Sequence, residues 1–124
     1  MAWKKNSPEA IQRFDKLVGV RGARRGVLFG CPIYQLGQHR YAILQQNQVV
    51  LRLSPKDAAQ LISKGGRPFE PFKGRPMKDR IVVPETIAAN ARPLQAWVRK
   101  AVQHARSPRL EGVTATRTRG SPRR

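Results

Sequence analysis

Three apolar runs lie close together in the first half of the chain, and the segments between them are too short to hold a crossover helix. The runs span residues 27–34, 41–44 and 49–53, and turn-forming residues fill the gaps at 35–38 and 45–48. Parallel neighbours need a crossover of about a dozen residues or more, whereas antiparallel strands can be joined by a tight turn. The spacing therefore predicts an antiparallel β-meander of three short strands.

Two residues interrupt the first of these runs. Gly30 indicates a bulge or a close approach of the backbone. Pro32 indicates an edge strand, because proline cannot donate to a central ladder. The polar residues 20–26, which include three arginines, are predicted to form a basic loop that leads into the run.

Serine followed by proline marks the start of two helices. Ser7 and Ser54 can each cap a helix whose first position is proline. The first helix ends at Gly19, and the last helix opens at Pro93. The residues predicted to face the core from these two helices are Ile11, Phe14, Leu17, Val18, Leu94, Trp97, Val98, Ala101, Val102 and Ala105.

The segment between the last two helices has a weaker pattern. Residues 67–78 hold three prolines and are predicted to be irregular, with Phe69 and Phe72 pinned into the core. Residues 81–83 are predicted to form a short strand. The sequence as a whole predicts an α+β domain, residues 1–106, in which N-terminal, middle and C-terminal helices flank an antiparallel sheet.

The last part of the chain shows no apolar periodicity. Residues 107–124 hold five arginines and one glutamate among glycine, proline, serine and threonine. Such a segment buries too little apolar surface to offset the entropy lost on ordering. It is therefore predicted to be a disordered, basic tail.

The charge balance constrains the partner. The chain has 124 residues with 25 Lys and Arg against 7 Asp and Glu, a formal net charge of +18. The tail carries +4 of this, so the domain itself carries +14. A potential of this sign and size attracts phosphate backbones and acidic surfaces. Nucleic acid, in first place DNA, is the preferred partner, ahead of an acidic protein.

Ten basic residues are predicted to contact nucleic acid, in three clusters along the sequence. The first cluster precedes the apolar runs, the second lies in the irregular segment, and the third lies on the polar side of the last helix. They are Arg21, Arg24 and Arg25; Arg67, Lys73, Arg75, Lys78 and Arg80; and Arg99 and Lys100.

Other kinds of chemistry find little support in the sequence. No phosphate-binding glycine loop or zinc-ligand spacing is present, and His39 and His104 lie far apart. Helix capping explains most acidic residues, so no catalytic residue, metal or cofactor is predicted. Cys31, the only cysteine, is predicted to be buried, which fits a reducing, cytoplasmic location. No apolar run approaches the roughly 20 residues that span a membrane.

The order of several short motifs resembles a known family. The stretch from Arg25 to Gly30 resembles the R-x-M-F-G signature of the TfoX/Sxy N-terminal domain, the competence-regulator family, with Leu28 in place of the usual methionine. Further landmarks extend the resemblance to about Arg106: the Gly37 turn, Tyr41 to Ile43, Val50 to Leu53, Pro68 and Phe69 with Phe72, Val83 and Pro84, and Leu94 with Trp97 and Ala101. The resemblance implies an α+β domain with a role near DNA or transcription, and no catalytic residue or cofactor. The basic tail stands where full-length competence regulators have a helical C-terminal domain.

The combined hypothesis is a non-enzymatic binding module that acts near DNA, on the duplex or through a transcription factor. Two alternatives stay open at this point. One is an RNA-binding protein, and the other is an adaptor that binds an acidic protein through an exposed sheet edge.

Overall fold

The computed structural model describes residues 5–72 and 74–106, apart from the side chains of residues 71, 72 and 75. The helices are α1 (Pro8–Val18), α2 (Pro55–Ser63), α3 (Glu85–Ala88) and α4 (Ala91–Ala105). The strands are β1 (Arg24–Leu28), β2 (Cys31–Leu36), β3 (His39–Gln45), β4 (Gln48–Arg52), β5 (Arg67–Phe72) and β6 (Arg75–Val82). Lys73, the side chain of Arg75 and the predicted tail at 107–124 lie outside the described residues.

The strands of the described chain form one six-stranded sheet in the order β1-β2-β3-β4-β6-β5. Every neighbouring pair is antiparallel. The meander therefore has four strands where three were predicted, and a β5–β6 hairpin joins it through β6. The predicted α+β class, with helices flanking an antiparallel sheet, is confirmed.

The two serine-proline motifs begin helices as predicted. The hydroxyl oxygen of Ser7 accepts a 3.1 Å hydrogen bond from the backbone N–H of Ala10, and that of Ser54 accepts a 3.2 Å bond from Asp57. Each bond satisfies one of the free donors at a helix N-terminus. The last helix begins at Ala91, two residues before Pro93.

The helices cover one face of the sheet and bury the larger core with it. Phe14 of α1 is 1% exposed and Trp97 of α4 is 6% exposed, which confirms both as core residues. All six predicted core residues of α4 are buried, while Ile11 and Leu17 of α1 are partly buried. The strand residues whose side chains point toward the helices, such as Leu51, complete this cluster.

The first apolar run forms parts of two strands rather than one. Phe29 and Gly30 form the turn between β1 and β2, with φ of 51° and 78°. Positive φ at both turn residues is the geometry that matches the twist of a two-residue hairpin. Gly30 therefore marks a turn and not a bulge. Arg24 and Arg25, which were predicted to lie in a loop, belong to β1.

The prediction of an edge strand at Pro32 is wrong. Pro32 lies in β2, between β1 and β3, and pairs with Val27 of β1. The pairing of β2 with β3 begins one residue later, at Ile33. The missing N–H thus falls outside the β2–β3 ladder, which explains how an interior strand contains proline.

Most of the segment predicted to be irregular belongs to the β5–β6 hairpin. Pro68 pairs with Ile81, but the next residue, Phe69, pairs with Met77. Residues 78–80 therefore form a wide bulge in β6. Proline concealed the strand in the sequence, yet β5 lies at the edge of the sheet, where proline is tolerated.

A second, smaller apolar cluster lies on the sheet face opposite the helices. No helical residue of the described chain belongs to it, and we call this face the open face. Leu28 and Met77 pack against the cluster, and three arginines lie beside two of its members, Ile43 and Val50. Cys31 is buried in it, as predicted. The buried members, each at most 7% exposed, are Cys31, Ile33, Ile43, Val50, Phe69 and Val82.

Candidate anion-binding site

Four arginines lie in a row across one end of the sheet, with a glutamine between two of them. Strand pairing sets Arg24 opposite Gln35, and Gln35 opposite Arg40. Further along, Arg52 of β4 lies opposite Arg80 of β6. We call these four arginines the arginine row.

The alternation of side chains along each strand places this row on the open face. Arg52 follows Val50 by two positions on β4, and Arg80 precedes Val82 by two positions on β6. Val50 and Val82 both belong to the open-face cluster. The pairing of Gln35 with its two neighbours extends the row to β1 and β3.

Arg40, Arg52 and Arg80, which we call the arginine triad, have one carboxylate beside them in the described chain. One oxygen of Asp79 accepts a 3.0 Å hydrogen bond from Nε of Arg52, and the other accepts a 3.2 Å bond from a terminal nitrogen of Arg80. Nε of Arg40 is buried and has no hydrogen-bond partner among the described residues. Three guanidinium groups against one carboxylate leave this cluster with two excess positive charges.

The triad is partly withdrawn from water. The side chains of Arg52 and Arg80 are each 20% exposed. The three arginines, together with Ile43, Val50 and nearby backbone, line a void of about 10 Å³. Burial lowers the pKa of Arg80, and repulsion from the other two arginines adds to this against the attraction of Asp79. Positive charge that is crowded and partly desolvated favours the approach of an anion.

A cleft of about 720 Å³ adjoins the triad at the C-terminal end of α4. Its walls include the β2–β3 turn with His39, the last residue of β4, Arg52, and the end of α4 with Arg106. Burial lowers the pKa of nearby His104, and the charge of Arg52 lowers it further. Arg21 is exposed here, and its carbonyl accepts a 3.3 Å hydrogen bond from Arg106. The described lining of the cleft contains no acidic side chain.

The first predicted cluster of basic residues is divided between the two faces of β1. Arg24 lies in the arginine row, whereas Arg25 faces α1 and donates a 2.8 Å hydrogen bond to Asp15. Tyr34 donates to the same carboxylate oxygen at 2.7 Å. Burial alone would raise the pKa of Asp15, but the two hydrogen bonds outweigh it and hold that pKa below its ordinary value. Arg25 thus forms an ion pair on the helix side of the sheet and does not belong to the arginine row.

The second predicted cluster contributes mainly Arg80. Lys78 is exposed and lies in the same bulge of β6. Arg67 pairs with Val82, one row further along the open face, and its guanidinium donates a 3.0 Å hydrogen bond to Gln48. Lys73 and the side chain of Arg75 lie outside the described residues.

The third predicted cluster lies on the helix side of the molecule. Arg99 is exposed on α4. Nζ of Lys100 lies 5.5 Å from the ring centroid of Trp97 and 3.9 Å from a carboxylate oxygen of Asp57. These two residues are therefore separated from the arginine row by the sheet itself.

Two basic residues of the site, Arg40 and Arg52, were missed in the sequence. Arg40 directly precedes the apolar run at 41–44 and Arg52 lies within the run at 49–53, so neither belongs to a cluster of basic residues along the chain. The predicted meander could have indicated that these residues are neighbours, because an antiparallel turn brings the start of one strand beside the end of the next. Arg40 and Arg52 lie near the outer ends of such a pair of runs and could have been placed on adjacent strands.

The geometry offers fixed hydrogen-bond donors and permanent positive charge. Guanidinium groups stay protonated at neutral pH and present several donors in a rigid plane, which suits phosphate and carboxylate oxygens. No cluster of three histidine, cysteine or acidic residues suited to a metal ion occurs in the described ranges. Within the same ranges, no helix combines the length and the apolarity that crossing a membrane requires.

Comparison with known proteins found no matching family model, no matching curated protein and no matching solved structure.

Proposed function

We propose that this protein is a non-enzymatic module that binds nucleic acid, in first place DNA, through the phosphate backbone. The observation that carries the proposal is the arginine row, in which Arg40, Arg52 and Arg80 lie together and, among the described residues, only the carboxylate of Asp79 pairs with any of them. Arg21 and Arg106 extend the positive surface around the end of the sheet to the cleft. A continuous surface of this sign is the electrostatic footprint of a polyanion site.

The preference for DNA rests on the resemblance of the chain to the TfoX/Sxy N-terminal domain. The arginine row supports phosphate contact of either nucleic acid, because phosphate oxygens are common to both. The row lies on strands rather than on a helix that could enter a major groove. We therefore expect sequence-tolerant binding of moderate strength, governed by charge.

The test is a salt titration of binding to a labelled DNA duplex, followed by fluorescence anisotropy. Each phosphate neutralised contributes a slope of about −0.9 to the plot of log affinity against log salt. Changing Arg52 to Met keeps the apolar stem and should lower the slope by about one such step. Arg99→Met, which removes the same charge from the helix side, is the matched control.

The outcome is decided by two comparisons. A flat salt dependence, or equal effects of Arg52→Met and Arg99→Met, would exclude the row as a backbone-binding surface. Competition between unlabelled duplex DNA and a structured RNA at fixed salt then separates the two nucleic acids. Stronger competition by RNA would replace DNA with RNA as the ligand.

A second candidate function is an adaptor for an acidic protein. Its specific support is the edge strand β1. Val27 of this strand is 65% exposed, and Phe29 in the turn that follows the strand is 75% exposed. An extended acidic peptide could add to this edge through main-chain hydrogen bonds. Association that survives complete nuclease digestion and is lost when Val27 is changed to Lys would favour the adaptor over the nucleic-acid module.

A further inference from the structure

The arginine triad differs in charge from an ordinary backbone contact. A phosphodiester carries one negative charge, and one exposed lysine or arginine is enough to neutralise it. Here Arg40, Arg52 and Arg80 converge from three adjacent strands, and Asp79 cancels only one of their charges. The excess of two positive charges matches a dianion rather than a monoanion.

The donors of the triad are also unevenly used. Asp79 engages Nε of Arg52 and one terminal nitrogen of Arg80. The buried Nε of Arg40 has no partner in the described chain. Within the described residues no carboxylate forms an ion pair with Arg40, so its charge stays available to an external anion. A tetrahedral oxyanion can accept from several guanidinium groups at once.

We infer that the arginine triad is a binding site for a dianionic phosphate monoester, such as the terminal phosphate of a nucleic acid. The inference deepens the proposed function, because it names the group that the row recognises most strongly. The void beside Ile43 and Val50 is too small for a phosphate, so the ligand lies above the stems, on the solvent side of the triad. Asp79, at 38% side-chain exposure, contacts two of the three guanidinium groups.

Asp79 then acts as an internal competitor for the same guanidinium groups. Its carboxylate makes two hydrogen bonds that a phosphate oxygen would otherwise make. Changing Asp79 to Asn removes the negative charge and keeps an oxygen acceptor of the same shape. This variant should bind phosphate more tightly than the unchanged protein, an effect opposite in sign to that of most site substitutions.

A purely structural role for the triad predicts a different result. The stems of Arg40, Arg52 and Arg80 could serve only to cover Ile43 and Val50 on the open face. In that case Arg40→Met, which preserves the covering stem, would leave both stability and phosphate response unchanged. As a phosphate site, the triad should lose its phosphate response in Arg40→Met while the fold is retained.

The first experiment measures the melting temperature of the full chain in inorganic phosphate at pH 7.5. Dimethyl phosphate, a monoanion, and sodium chloride serve as controls at the same ionic strength. At a phosphate concentration ten times Kd, mass action should raise the melting temperature by about 5 °C. The dimethyl ester should raise it by less than half as much. Arg40→Met should abolish the difference, Asp79→Asn should enlarge it, and Arg99→Met should leave it intact.

The second experiment uses one oligonucleotide sequence in three forms: without a terminal phosphate, with a 5′-phosphate and with a 3′-phosphate. One phosphorylated form should bind at least threefold more tightly than the unphosphorylated form, and Arg40→Met should remove that preference. If only inorganic phosphate responds and all three oligonucleotides bind equally, the site takes a small phosphomonoester and the nucleic-acid part of the inference is wrong.

The two proposals fail in distinguishable ways. Equal melting temperatures in phosphate, dimethyl phosphate and chloride overturn the monoester site, whatever the oligonucleotides do. Salt-sensitive binding of all three oligonucleotides without a terminal preference would then leave the backbone-binding function standing. Absence of oligonucleotide binding together with a triad-dependent phosphate shift would overturn the proposed function and retain the monoester site.

Discussion

The hydroxyl of Tyr41 donates a 2.8 Å hydrogen bond to the carbonyl oxygen of Val18, which joins the middle of the sheet to the end of α1. Tyr41 is 1% exposed and Val18 is fully buried. The carbonyl lies at the C-terminal end of the helix, where no further helical turn supplies a donor. This bond therefore satisfies a buried acceptor that the helix leaves free.

Changing Tyr41 to Phe should lower the free energy of unfolding by about 1–3 kcal/mol, because a buried carbonyl loses its partner while the ring remains. Chemical denaturation at neutral pH measures the loss. Ile62→Val, at a partly exposed position of α2, is a control that should change stability by far less. A Tyr41→Phe protein as stable as the parent would show that water replaces the hydroxyl.

The same tyrosine should make the fold less stable at alkaline pH. Burial raises the pKa of Tyr41 from 10.0 to about 12. A raised folded-state pKa contributes stability that is complete below the unfolded value and is lost as pH rises through the folded value. Stability should therefore fall between about pH 10 and 12. Tyr41→Phe, although less stable at neutral pH, should show a shallower fall over this interval.

Two adjacent arginines offer a sharp test of which face binds nucleic acid. Arg24 belongs to the arginine row, while Arg25 is paired with Asp15 at 2.8 Å on the helix side. Arg24→Gln should weaken DNA binding and lower the salt slope by about 0.9, with little change in stability. Arg25→Gln should leave the slope nearly unchanged.

For stability the order should be the opposite: Arg25→Gln should have the larger effect and Arg24→Gln the smaller one. The pKa of Asp15 is held low by hydrogen bonds from Arg25 and Tyr34, so its contribution to stability is present above its unfolded pKa and lost as pH falls through the folded value. Arg25→Gln should therefore reduce stability at neutral pH more than at strongly acidic pH. Equal salt slopes for the Arg24 and Arg25 variants would contradict the assignment of faces.

Residues of the site were harder to predict from the sequence than the helices were. Ser7 and Ser54 cap their helices through neighbours three residues away, and such local rules are visible in the sequence. The arginine triad depends on strand register, which brings Arg52 opposite Arg80 across 28 residues of chain. The β5–β6 hairpin was concealed because its edge position, which permits proline, is a property of the sheet and not of the segment.

The turn at Phe29 should be open to stabilisation. Phe29 has φ of 51°, a conformation that L-residues other than asparagine and aspartate adopt reluctantly, and it is 75% exposed. Phe29→Asn creates the asparagine-glycine turn that hairpins of this kind favour. The free energy of unfolding should rise by roughly 0.5–1 kcal/mol, and duplex binding should stay unchanged because the turn lies at the other end of β1 from Arg24.

Thermal or urea denaturation of Phe29→Asn and Phe29→Ala separates the effect of the backbone conformation on stability from the effect of the aromatic ring. Alanine removes the exposed ring without easing the backbone, so it should not stabilise the hairpin. If Phe29→Asn weakens duplex binding while it raises stability, the aromatic ring contributes to the partner surface and the turn is strained for that purpose.

Binding of a polyanion should strengthen as the pH falls below neutrality. Burial holds the pKa of His104 below 6.5. The nearby charges of Arg52 and His39 lower this pKa further, whereas those of Asp79 and Asp57 raise it. A bound anion raises that pKa, so binding is coupled to proton uptake and the affinity rises as protons become available. Duplexes without terminal phosphates are required, because a phosphate monoester itself titrates near pH 6.

Anisotropy titrations across this pH range should show a smaller rise in affinity for His104→Gln than for the parent. The same histidine also predicts that the free protein loses stability on acidification, since its folded-state pKa is depressed. An affinity that stays constant with pH in the parent would place His104 outside the reach of the bound anion.

The basic tail and the arginine triad can be compared directly. Residues 107–124 follow Arg106, which lines the cleft beside the triad, and they carry a net charge of +4. The triad is fixed by strands and by packing over Ile43, so its arginines lose less freedom on binding than arginines of a flexible arm would.

Truncation after Arg106 should lower the salt slope by at most the contribution of the five tail arginines, and it should leave the melting temperature unchanged. Arg40→Met combined with Arg52→Met should cost more affinity per charge removed, in the same salt titration. If truncation abolishes binding while the double variant binds normally, the tail is the nucleic-acid-binding element and the folded domain carries it.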